Sequence, residues 1–65
     1  MATLHIVAKA GQISVVVNGT NEMSVPDDEY ITVLSFLDSL VEMGVITEDQ
    51  HAIANRRVLH IVGLE

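Results

Sequence analysis

A chain of 65 residues with no cysteine is one domain at most, and disulfides, thiolate zinc sites and cysteine nucleophiles are all excluded. Nine acids against Lys9, Arg56 and Arg57 give a formal net charge of −6, which argues against direct binding of a nucleic-acid backbone, since phosphates call for clustered cations. At 49% hydrophobic the chain is more apolar than a small monomer easily hides, so the surplus is expected to emerge as a patch that a partner covers.

The first segment, Thr3 to Lys9, alternates: Leu4, Ile6 and Ala8 point one way, Thr3, His5, Val7 and Lys9 the other. Ala10-Gly11 is a turn signal and Ile13 to Val17 a β-branched run, so the two segments read as an antiparallel hairpin. Asn18-Gly19 suits a two-residue type I′ turn, after which Thr20 to Val25 reads as a third, weaker strand, with Asn21 against it.

Pro26 to Gly44 reads as an amphipathic helix. Tyr30, Val33, Leu34, Leu37, Leu40 and Val41 share one arc, while Thr32, Ser35, Asp38, Ser39 and Glu42 lie opposite. Acids in its first turn suit the helix dipole and Gly44 suits a C′ position. Leu34, Leu37 and Val41 are expected to pack on Leu4, Ile6, Val15 and Ile61, leaving Phe36 and Met43 to meet a second helix or another chain. Thr47-Glu48-Asp49-Gln50 matches a capping box and predicts a short helix from Glu48 to about Arg56, with Ala52 and Ile53 as its apolar face. Val58 to Val62 reads as a final strand.

Residues 1–65 therefore form a single domain of α+β class. It is a small two-layer arrangement: an antiparallel sheet of three or four strands with one long and one short helix on one face, in the order β-β-(β)-α-α-β. Leu4-His5-Ile6-Val7 recurs as Leu59-His60-Ile61-Val62, which suits two strands side by side with leucine and isoleucine facing the helices.

On that reading His5 and His60 share the outer sheet face with Val7, Val16, Val58 and Val62. A metal site with Glu22 would be one use of the histidines, but no third ligand is placed for it, and no metal or cofactor is expected. An outer face that is half valine, beside the uncharged run Ile13-Ser14-Val15-Val16-Val17, suits coverage by a second subunit. His5, Val7, Val16, His60 and Val62 are accordingly the expected self-association face of a homodimer.

Asp38-Ser39-Leu40 resembles the attachment tripeptide of acyl carrier proteins, and the resemblance implies a phosphopantetheine group on Ser39. That family is an all-helical bundle with the tripeptide at a helix start, whereas here it falls late in a helix that follows strands. Gly11 and Gly19 are lone turn glycines and make no phosphate loop. Asp27 and Asp28 are explained by the helix dipole, and the chain offers little framework for a catalytic triad.

The expected function is therefore non-catalytic. The chain reads as a small acidic protein-binding module, a homodimeric inhibitor or adaptor of phage or bacterial type that occupies a surface of a larger protein. Asp27, Asp28, Asp38, Glu42, Phe36 and Met43 are the partner-binding candidates, the acids steering toward a basic surface. The alternative is a nucleic-acid mimic whose carboxylates fill a basic groove. No apolar run is long enough to span a bilayer and the N-terminus lacks a basic signal region, so a cytoplasmic location and no membrane partner are expected.

Overall fold

The computed structural model describes residues 2–65. Strands β1 (Leu4–Lys9), β2 (Gln12–Val17) and β3 (Thr20–Pro26) form one antiparallel sheet in the order β1-β2-β3. A single 3-10 turn, Asp27–Glu29, leads into α1 (Tyr30–Glu42), and α2 (Glu48–Ile61) follows it. The two-layer α+β domain is present as expected, and Thr20 to Pro26 pairs with β2 along its length except at Glu22.

Two-residue turns set the register. Ala10 and Gly11 have φ of 54° and 77° and join Lys9 to Gln12; Asn18 and Gly19 have φ of 52° and 79° and join Val17 to Thr20. Positive φ at both central positions is the type I′ requirement, which suits the right-handed twist of the flanking strands. Asn18 accepts that geometry readily, whereas the Cβ of Ala10 is crowded by it. In β3 the pairing steps from Val15↔Met23 to Val16↔Asn21, so Glu22 is the extra residue of a bulge.

The core lies between the layers. Ile6, Ile13, Val15 and Val17 from the sheet meet Val33, Leu37 and Leu40 of α1, Ile46 of the connection, and Ala54 and Val58 of α2. The stripe of α1 is thus centred on Leu37 with Val33 and Leu40 beside it; Leu34, Phe36 and Val41 are half-buried flanks packed on this core. α1 lies over β3 and β2, and α2 lies over β1.

Val58 to Val62 is not a strand. Helix α2 begins at the expected capping box, in which Thr47 Oγ1 accepts from the Gln50 amide (3.1 Å) and Gln50 Oε1 accepts from the Thr47 amide (2.9 Å). It then passes Arg56 and Arg57 and continues to Ile61, because nothing there breaks it. Ala54, Val58, Ile61 and Val62 fall at i, i+4, i+7 and i+8, the spacing of one helix face. Gly63 (φ 81°) ends the helix in a Schellman motif, donating to the His60 carbonyl while Leu64 donates to that of Leu59. Gly44 ends α1 likewise, with Gly44 N–H to Val41 O and Val45 N–H to Leu40 O. The buried face of α2 is Ala54 and Val58; Ala52 and Ile53 are exposed.

Candidate functional site

The expected self-association face is divided by the helical fate of the C-terminal segment. His5, Val7 and Val16 do lie together on the sheet face away from the helices, with His5 opposite Val16 across β1 and β2. Ser14 pairs with Val7 and exchanges a 2.7 Å hydroxyl contact with Ser24, so this uncovered face mixes valine with polar groups. His60 and Val62 belong to the other layer: His60 is exposed on the last turn of α2, and Val62 caps that helix and packs against the core.

The partner-binding candidates are likewise split along α1. Asp27 and Asp28 sit at its start, over a shallow depression lined also by Tyr30, Ile61, Val62 and Leu64. Asp38 and Glu42 sit toward its other end, with Val41, Glu48 and His51. Eleven residues of helical rise place Asp27 and Asp38 roughly 16 Å apart. Asp38 is engaged within the chain, its Oδ1 lying 2.5 Å from His51 Nε2 and tying α1 to α2. Phe36 is half-buried on the core, whereas Met43 is 65% exposed beside Glu42. Ser39 is exposed and its hydroxyl donates to the Ser35 carbonyl at 3.3 Å. All nine carboxylates are exposed, and no group of three metal-ligating side chains converges among the described residues.

A further surface arises only when the layers come together. β1 is an edge strand with α2 lying over it. Gln50 Nε2 donates to the Ala2 carbonyl (2.7 Å) and pins the N-terminal end of α2 to the lead-in of β1. Between them runs an open groove of about 350 Å³ lined by Leu4, His5, Ile6, Gln50, Ile53, Ala54 and Arg57. Ile53 overhangs it and is 71% exposed, the most exposed large apolar side chain among the described residues.

The backbone of β1 has an open edge beside this groove. The residues flanking a two-residue turn form a hydrogen-bonded pair, so Lys9, Val7 and His5 direct their N–H and C=O groups at β2. Thr3 continues the same parity, its carbonyl accepting from the Asn18 amide at 2.9 Å. Leu4, Ile6 and Ala8 therefore direct theirs outward, along the open edge. Gln50 and Ile53 fall inside the helix expected from the sequence, as cap and apolar face, whereas Arg57 lies past its expected end near Arg56. With the helix continued to Ile61, Arg57 joins Gln50 and Ile53 on one flank at spacings of three and four.

Comparison with protein-family models, with curated proteins and with solved structures gives no match to this chain. No helix among the described residues is long and apolar enough to cross a membrane.

Proposed function

We propose that this chain is a non-catalytic protein-binding module, an inhibitor or adaptor that acts by occupying a surface of a larger protein. The observation that carries the reading is the uncovered sheet. Among the described residues no helix covers the face that carries His5, Val7 and the half-buried Val16, and β1 is an edge strand. Met43 at the helical hairpin and Ile53 over the groove add large apolar side chains at 65% and 71% exposure. Such side chains beside open backbone groups are what a partner surface can bury. The exposed carboxylates at the two ends of α1 favour a partner with a basic rim.

The outer sheet face is the self-association surface in this reading, now with three members, His5, Val7 and Val16. Sedimentation at micromolar concentration should give twice the 7.1 kDa chain mass, and Val16→Lys should return the monomer. A monomer at all concentrations removes the homodimer and leaves that face to a foreign partner. Capture of host proteins on the immobilised chain, compared with Met43→Lys, Ile53→Asp and Val16→Lys, tests the reading as a whole. A specific partner should survive moderate salt, because apolar docking is weakly screened, and at least one substitution should release it. Capture that is indifferent to all of them, or lost on raising salt alone, goes against it.

A further inference from the structure

We infer that the seam between the open edge of β1 and helix α2 binds an extended peptide segment that has apolar side chains at alternate positions and a carboxylate. This rests on the protein-binding reading and names the chemistry of what one surface takes. The outward N–H and C=O groups of Leu4, Ile6 and Ala8 provide the ladder that an added strand needs. The groove beneath α2, with Leu4 and Ile6 as floor and Ile53 and Ala54 as wall, lies where every second side chain of that strand would fall.

Charge selects the occupant. The chain carries −6, yet no carboxylate lines this groove, and its cation, Arg57, makes no ion pair among the described residues. Lys9, at the far end of β1, is also without one among the described residues. A guanidinium beside an apolar slot recognises a carboxylate by paired N–H donors. The opposite edge lacks these features: β3 carries the Glu22 bulge and ends at Pro26 and three acids.

The spacing of the layers favours a peptide over a second copy of the chain. Paired strands lie about 4.8 Å apart, while packed helices need about 8–10 Å between axes. Because α2 lies over β1 itself, two copies joined edge to edge at β1 would bring both α2 helices over one seam. An extended segment brings no helix.

Selection of a displayed random decapeptide library on the intact chain tests this. Enriched sequences should alternate apolar residues and share Asp or Glu at one position, and selection on Arg57→Glu should replace that acid with Lys or Arg. An enriched peptide, added to the labelled chain, should slow amide hydrogen exchange at Leu4, Ile6 and Ala8 by tenfold or more and leave the already paired His5 and Val7 unchanged. Ala8→Pro, which removes one outward N–H and leaves the β1–β2 ladder intact, should weaken the peptide at least tenfold. Enrichment that ignores Arg57→Glu, protection at other amides, or no enrichment overturns the inference. So does concentration-dependent protection of Leu4, Ile6 and Ala8 with no peptide present, which would give the edge to a second copy. Host-protein capture that persists in Arg57→Glu while the peptide effects are absent would sink this inference alone and leave the protein-binding reading standing.

Discussion

The tetrapeptide Leu-His-Ile-Val occurs twice in this chain and folds in two ways. At Leu4–Val7 it is strand, with Ile6 buried and Leu4 half-buried beneath the helices while His5 and Val7 face solvent. At Leu59–Val62 it is the end of α2, with His60 exposed and its neighbours half-buried. Identical side chains thus follow a period of two in one place and of 3.6 in the other. The difference comes from what precedes and follows. The first copy ends in Ala10-Gly11, whose turn returns β2 alongside it. The second copy arrives on a helix already nucleated at the Thr47 capping box, where adding a residue to an existing helix is far easier than starting a strand. Local composition is a weak prior, and the neighbouring boundary decides.

Proline separates the two copies most sharply. Leu59→Pro removes an intrahelical hydrogen bond and should cost about 3 kcal/mol or more. In a domain this small that should unfold the chain, as seen by loss of helical circular dichroism. Ala8→Pro, next to the first copy, faces its missing N–H to the open edge and should cost less than about 1 kcal/mol. If Ala8→Pro unfolds the chain as well, the outward parity of Leu4, Ile6 and Ala8 is wrong.

Matched truncations come next. Ile6→Ala should destabilise by about 2–4 kcal/mol in urea denaturation. Ile61→Ala, at the half-buried equivalent, should cost roughly half of that or less. Equal losses would mean that both copies share the core evenly. Thr47→Ala removes the capping box and should cost about 1 kcal/mol, with the largest rise in hydrogen exchange in the first turn of α2. The smallest effect has the opposite sign. Ala10→Asn relieves the alanine at φ 54° and should stabilise the hairpin of the first copy by about 0.5–1 kcal/mol. No gain in denaturation midpoint would show that the turn is not strained.

Much of the fold was legible in the residues because its signals are local. Alternation in β1, the β-branched run of β2, Asn18-Gly19, the arc of α1, Gly44 and the Thr47–Gln50 box each act within a few residues, and each marks a strand, turn or helix end that is present, although α2 runs on to Ile61. Within α1 the arc was correct while its centre was not: Val33 and Leu40 are buried, and Leu34 and Val41 lie on the flanks. Which residues of an apolar stripe face inward depends on how the helix is rotated on the sheet, and that is set by packing. Gly63 is a stop signal consistent with a longer α2, whereas the repeat and the β-branched Val58, Ile61 and Val62 suit a strand equally well.

The candidate surfaces divide in the same way. That the chain is acidic, free of thiols and over-rich in apolar side chains follows from composition alone. The expectation of an open valine-bearing face follows from strand alternation, because a single helical layer covers only one side of a small sheet. The seam of β1 with α2 is different in kind. Leu4 and Ile6 stand some fifty residues from Ile53 and Arg57, and neither stretch announces a groove. Only the docking of α2 over β1 brings an open backbone edge, an apolar slot and the Arg57 guanidinium together. The sequence determined two layers and a surplus of apolar surface, since both depend on short-range pattern and side-chain inventory. Where that surplus emerges was decided by the tertiary structure, through the length of one helix and the strand it covers.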